Sequence, residues 1–308
     1  MILAVDVGGT KIKIGLVESG AVLSRTSIDA HSDIGLAQAL PRTVDAARRL
    51  LSERGLDFQD CSAIGVSFPS LIDAKTGRIL FGYGKFMDAM DIDLKAWASE
   101  TFGLPLYIEN DARVAMLGEW LAGAGRGCDN LVMITLGTGI GVSAMIEGRI
   151  LRGVHGQAGI LGGHVSVDPN GHRCNCGGRG CAEAEASTSV IDKHARSHPD
   201  FGQSELSRVS QIDYVHLFQA ARRGDPLATL LRLRAIEVWS TMIVDLVHTY
   251  DPERVIVGGG IAAGWDDFMP DVIERVQHNV HTPWGQVAIV PAMLGNDAAL
   301  VGCEALIS

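Results

Sequence analysis

DVGGTKIKIGLV, residues 6–17, puts an aspartate at the end of the apolar run ILAVDV, adds paired glycines, and resumes with a second apolar run. Short apolar runs bounded by glycine read as strands. Residues 2–7 and 12–17 are therefore expected as two strands across a tight turn. GLVESGAVL (15–23) reads as a hairpin into a third strand, AVLSRTSID (21–29). A second stretch, TLGTGIGVSAMI (135–146), repeats the order of strand, glycine-rich turn, strand and hairpin. This repeat predicts two related α/β domains, and 308 residues is a length for about two.

Between the repeats, helical spacing of Leu36, Leu40, Val44, Ala47 and Leu51 predicts a helix over 36–54. CSAIGVSF (61–68) reads as a strand, 94–102 as a short helix, LPLYIEN (104–110) as a strand, and the residues after it as a helix. After the second repeat, residues 148–181 are glycine-rich and aperiodic. Helices are expected over 183–197, 209–222 and 227–249. RVIVGGGIA (254–262) is a strand opening into three glycines. A helix over 265–280, a strand over 286–293 and a C-terminal helix follow.

Composition narrows the function classes. Hydrophobic residues make up 47% and charged residues 20%, as in a folded globular chain and not a disordered one. The formal net charge of −10 and the lack of a Lys/Arg cluster argue against nucleic acid or an anionic membrane as the main partner. MILAVDVGG lacks the basic leader of a signal peptide, and no apolar run reaches membrane-spanning length. Cys61, Cys128 and Cys303 stand singly, which suits buried thiols in a cytoplasmic, reduced protein.

Three strand ends carry glycine turns: Asp6–Lys11, residues 136–141 and residues 257–262. Such turns let backbone N–H groups approach an anion, and Thr10 adds a hydroxyl. Asp6, at a strand end, suits a hydrated magnesium. Taken alone, each turn also reads as an ordinary tight hairpin. Asn110 and Asp111 end an apolar strand, where α/β proteins place ligands; Asp111 reads equally as a helix N-cap. His164, Cys174, Cys176 and Cys181 can form a four-coordinate zinc site, with His172 a competitor for the histidine position. Four protein ligands would leave no open coordination position, so the site would be structural.

Together, DVGGTK, IENDA (108–112) and AGILGGHVSVDPNGHRCNCGGRGCAE (158–183) resemble the ROK (repressor, open reading frame, kinase) family over essentially the full length, in its glucokinase-like sugar kinase branch. The resemblance implies a two-domain actin-like ATPase / sugar kinase (ribonuclease H-like) fold with an active-site cleft and a structural zinc loop. The domains would be 1–118 plus 292–308, and 119–291, with the zinc loop at 164–181. It implies ATP-dependent phosphorylation of the primary hydroxyl of a hexose, with Asp111 as general base. Asn110, His164 and Glu183 would bind the sugar. ATP and Mg2+ would be held by Asp6, Gly8, Gly9, Thr10, Lys11, Thr135, Gly137, Thr138, Gly139, Gly258, Gly259 and Gly260. Structural Zn2+ would sit on His164, Cys174, Cys176 and Cys181. A homodimer or homotetramer is the implied assembly. Repressors of the family carry an extra N-terminal DNA-binding domain, for which a strand starting at residue 2 leaves no room.

Two departures concern the acceptor. Leu161 stands where members of the family have a glutamate that hydrogen-bonds sugar hydroxyls. The loop FGYGKFMDAMDIDL (81–94) lacks the usual motif, and Lys85, Asp88 or Asp91 are its candidates to reach the pocket. N-acetylmannosamine, N-acetylglucosamine, allose or a sugar-like cyclitol are alternative acceptors. A non-catalytic sugar-sensing regulator is the alternative outside enzymes.

Overall fold

The computed structural model describes residues 1–307 except Tyr83. The chain folds into two compact units. The first comprises 1–127, 152–158 and 292–308; the second comprises 128–151 and 159–291.

In the first unit, β1 (Ile2–Val7), β2 (Lys11–Glu18) and β3 (Ala21–Asp29) form an antiparallel meander, and β4 (Ile64–Phe68) pairs in parallel with β1. A hairpin of β5 (Leu71–Asp73) and β6 (Arg78–Phe81) follows, and β7 (Leu106–Asn110) completes the sheet in the order β3-β2-β1-β4-β7. In the second unit, β8 (Leu131–Leu136), β9 (Ile140–Ile146), β10 (Arg149–Ile150), β11 (Arg254–Gly258) and β12 (Ala288–Pro291) form a sheet in the order β10-β9-β8-β11-β12. Both sheets thus have three antiparallel strands followed by two parallel ones, so the repeat read in the sequence is a repeat of topology.

Helices α1 (Leu36–Ser52), α2 (Leu94–Phe102) and α3 (Asp111–Ala122) belong to the first unit. Helices α4 (Ala182–Ala186), α5 (Thr188–Arg196), α6 (Tyr214–Arg222), α7 (Pro226–Tyr250) and α8 (Trp265–Asn279) belong to the second. Helix α9 (Ala298–Glu304) returns to the first unit. It packs on α3 through facing glycines: a methyl on Gly118 would strike the Ala298 carbonyl, and one on Gly302 would strike the Val114 carbonyl. The buried Glu119 carboxylate accepts from the N–H groups of Ala124, Met293 and Leu294, fixing the returning segment.

The first unit has two apolar clusters, the smaller joining Ile2, Ala4 and Val17 to Val114, Leu300 and Cys303. One face of the first sheet packs Leu3, Val5, Ile64 and Val66 against Leu36, Ala47 and Leu51 of α1. The second unit packs Val132, Ile134 and Val257 beneath Trp239, Met242 and Phe268. Among the described residues no helix is long and apolar enough to cross a membrane.

Three expectations change. The helix expected over 183–197 breaks at Ser187, which is extended (φ −89°, ψ 164°). The break frees the Thr188 and Ser189 N–H groups to donate to the Gly137 and Thr138 carbonyls, at 2.9 and 3.1 Å. The helix expected from 209 starts at Tyr214, because Asp213 caps it by accepting from the His216 N–H. Residues 71–81, not expected as strands, form β5 and β6 around a turn in which Asp73 accepts from the Lys75 N–H and the Thr76 hydroxyl.

Candidate active site and metal centre

Parallel pairing of β1, β4 and β7 aligns their carboxyl ends. Asp6 lies opposite Ser67, Ser67 opposite Glu109, and Phe68 opposite Asn110. The carboxyl ends of strands are where open α/β sheets bind ligands. Asp6 accepts from the Ser67 hydroxyl at 2.8 Å and pairs with the Lys13 ammonium at 3.2 Å. The turn closes through the Gly8 N–H donating to the Lys11 carbonyl at 2.9 Å. Thr10 is exposed. The Lys11 side chain leaves the turn to pair with Asp29 at 2.6 Å, so its charge lies along the sheet edge.

Asn110, not Asp111, caps α3: its side-chain oxygen accepts from the Ala112 and Arg113 N–H groups, and its amide donates to the Ser70 carbonyl at 3.1 Å. Asp111 is the first helical residue and accepts from the Ala112 N–H at 2.8 Å. Loss of solvation raises its pKa to about 6, and the negative charge of Asp6 adds to that rise; the Ala112 N–H and the Lys85 ammonium act the other way. The opposition of two nearby carboxylates is a common way of making a base near neutrality.

Glu109 points into the protein and is fully buried. One oxygen accepts from the Asn110 N–H (2.8 Å) and the Arg113 guanidinium (3.1 Å); the other accepts from Arg152 at 2.7 Å. Arg113, also buried, donates to the Gly156 and Ala158 carbonyls, both at 2.8 Å. This network fastens residues 152–158 beneath Asn110 and Asp111.

In the second unit, Thr135 of β8 lies opposite Gly258 of β11. The turn after β8 closes through the Gly137 N–H donating to the Gly139 carbonyl at 3.0 Å. Gly259 has φ +89°, and a methyl there would strike the backbone of Leu136, so the position requires glycine. Gly137, Thr138, Thr188 and Gly260, with Phe218, Gln219 and Arg222 of α6 and with Gly264 and Asp267, line a cavity of about 530 Å³. Arg222 forms a fork with Asp267, at 2.5 and 2.7 Å.

The four donor atoms of His164, Cys174, Cys176 and Cys181 lie within 4.8 Å of one another. Cys174 Sγ is 3.5 Å from His164 Nδ1, and Cys176 Sγ is 3.6 Å from Cys181 Sγ. A tetrahedron with zinc–sulfur bonds of about 2.3 Å and a zinc–nitrogen bond of about 2.0–2.1 Å has edges of about 3.5–3.8 Å. The donor set therefore fits zinc in both chemistry and size. Burial pushes the Cys174 and Cys181 thiols up, the latter to about 12, whereas the Gly178 N–H pulls the Cys176 thiol down. His172 is outside the cluster: its Nδ1 lies 3.1 Å from Glu185, and its ring stacks on His194 at 4.2 Å. Arg234 ties this corner together by pairing with both Asp168 and Glu185.

The sequence profile of the ROK family matches residues 2–308. The chain belongs to the ROK family. A glucokinase of Thermotoga maritima is 33% identical over 99% of this chain and 96% of its own length. A ROK hexokinase structure from Thermus thermophilus superposes with a TM-score of 0.81 at 29% identity, covering 99% of this chain and 97% of that one. The structure of a ROK family glucokinase from Streptomyces griseus, in complex with glucose and AMPPNP, has a TM-score of 0.76 at 32% identity, covering 99% and 98%.

Within this ROK chain, Asp6, Gly8, Gly9, Asn110 and Asp111 gather at one end of the first sheet. Thr135, Gly137, Thr138, Gly258, Gly259 and Gly260 gather at the end of the second. Glu183 sits at the start of α4 and accepts from the Ile140 N–H at 2.9 Å, filling the space beside Gly139. Leu161 is 41% exposed, one residue before the Gly162–His164 turn that packs on β9. Sequence reasoning missed the cavity walls from α6 and α8, which carry only amphipathic helical patterns. It also left Glu109 unassigned, because one of its two arginine partners, Arg152, lies 43 residues downstream.

Proposed function

We propose that this ROK chain is an ATP-dependent kinase of the primary hydroxyl of a hexose. The observation that carries the reading is Asp111, a carboxylate raised to about 6 at the strand ends beside the Asp6–Lys11 turn. A base of that pKa is half or more ionised at neutral pH and still accepts a proton readily. In the reaction Asp111 takes the hydroxyl proton as the sugar oxygen bonds to the terminal phosphorus, and the bond to the bridging oxygen breaks to release ADP. Backbone N–H groups of a glycine turn suit phosphate oxygens. The cavity lined by Gly137, Gly260 and the α6 side chains has the size for the nucleoside.

Asp6 would hold hydrated Mg2+, which neutralises phosphate charge when bound. Asn110 keeps one amide hydrogen beyond that given to Ser70, for a sugar hydroxyl. Glu183 and His164 are the sugar-contacting groups of the second unit in this reading. With Leu161 in place of an acid, the acceptor lacks one hydrogen-bond partner, and an unpaired buried hydroxyl costs about 1–3 kcal/mol. The expected assembly is a homodimer or homotetramer, which light scattering measures.

ADP release with glucose, allose, N-acetylglucosamine, N-acetylmannosamine and a cyclitol tests the reading. Saturable turnover of one of them is the expected result. Binding of a sugar with no turnover of any would instead make the chain a sensor. The pH dependence follows from the Asp111 shift: kcat/KM should fall tenfold per unit as pH drops below about 6 and be level above it. A profile flat to pH 5 would remove the base from the mechanism.

His164, Cys174, Cys176 and Cys181 would hold one Zn2+, a closed four-ligand cross-link for a loop with few apolar residues. Elemental analysis should give about one zinc per chain, and close to none in Cys176→Ala, whose melting temperature should fall by several degrees. Equal zinc content in both proteins would overturn the assignment.

A further inference from the structure

Lys85 lies on a loop that is built into the first unit at three points. Phe86 is fully buried and packs at 5.8 Å on Phe68, despite a φ of +47° that bulky side chains rarely adopt. Its N–H donates to the Ser32 carbonyl, and the Ser32 hydroxyl donates to the Gly9 carbonyl at 2.9 Å. Asp88 accepts from the Leu36 and Ala37 N–H groups and so caps α1. Backbone strain that persists because its surroundings over-determine it is concentrated at functional sites.

The anchored loop lays the Lys85 side chain across the Asp6–Lys11 turn. A methyl group built on Gly9 would lie 2.6 Å from Cε and 2.8 Å from Nζ of Lys85. The ammonium is also near enough to act on the Asp111 carboxylate. Among the described residues it makes no ion pair, whereas Lys11 and Lys13 are each paired with an aspartate. A cation that makes no ion pair among the described residues therefore lies against a backbone turn suited to phosphate and within electrostatic reach of the proposed base.

We propose that Lys85 is a further catalytic residue, whose ammonium contacts the phosphoryl group in transit and neutralises the charge on its oxygens. This rests on the kinase reading above. Asp111 takes the proton, ADP carries away the electron pair of the broken bond, and Lys85 stays protonated throughout. A side chain at position 9 would push the flexible end of Lys85 off the turn. Neither Lys11 nor Lys13 can serve in its place without leaving its aspartate.

The test compares wild type with Lys85→Met and Lys85→Arg. Lys85 is exposed, so all three should melt within a degree or two of one another. Lys85→Met should lose about 10²-fold in kcat, as expected for removing one group that stabilises transition-state charge, and Lys85→Arg should recover part of it. KM for the hexose should change less than threefold. A Lys85→Met kcat within threefold of wild type would overturn the proposal. If wild type turns over no hexose, the kinase reading fails, and calorimetry with AMPPNP and AMP in the presence of magnesium decides Lys85 separately. Loss in Lys85→Met of about tenfold in AMPPNP affinity, with AMP unchanged, would uphold the phosphate contact. Equal AMPPNP affinity in both proteins would overturn it.

Discussion

Replacing Asp111 with asparagine is expected to cut kcat by about 10²–10⁴-fold while leaving hexose affinity within a few-fold of wild type. Asparagine keeps the size of the side chain and an oxygen for the Ala112 N–H, so the start of α3 should be undisturbed. What it loses is the ability to accept a proton. The same change should stabilise the protein. A carboxyl whose folded pKa of about 6 exceeds its ordinary value of 3.8 costs stability fully above pH 6 and nothing below pH 3.8. The shift corresponds to about 1–3 kcal/mol at neutral pH, the lower end allowing for screening at a partly exposed side chain. Asp111→Asn should accordingly melt higher than wild type at pH 7.5 and show no such gain at pH 4. Near-normal turnover would sink the general-base role. Loss of turnover without a rise in melting temperature would indicate a carboxylate that is already well solvated.

Much of this site was legible in the sequence because it depends on short-range features. A strand, paired glycines and another strand define the Asp6–Lys11 turn wherever they occur. The same holds for the turn after β8, and for an apolar strand ending in Asn-Asp before a helix. The donor spacing narrowed the metal ligands to four residues and a competitor, and the family resemblance pointed to His164 over His172; in the fold His172 faces Glu185 and His194 instead. The exchange of roles between Asn110 and Asp111 is likewise invisible to residue type, since both are good caps. Which one caps is decided by where the strand stops. The helix break at Ser187 follows from two carbonyls on a turn 50 residues earlier. Lys85 was one of three candidates in its loop to reach the pocket; its position depends on Phe86 reaching the core.

Glu109→Gln is expected to destabilise the protein by about 3–5 kcal/mol, the range for removing one member of a buried ion pair. The reason is the partner left behind. Arg113 is buried to 1% exposure, and burial already pulls its pKa down against the attraction of Glu109. Two carbonyl dipoles, at Gly156 and Ala158, do not replace a full negative charge. The double substitution Glu109→Met with Arg113→Met should recover most of the loss, because replacing a buried pair by apolar groups of similar size is often close to neutral. Denaturant midpoints of the two single variants and the double variant measure this coupling. Activity should not recover in parallel. Glu109 also accepts from the Asn110 N–H and from Arg152, so the apolar pair leaves the residue before Asp111 without its acceptor. A stable but slow double variant would identify the network as what positions the base. A double variant as active as wild type would reduce it to packing. A single Glu109→Gln costing less than about 1 kcal/mol would mean that the Arg113 charge is compensated without Glu109.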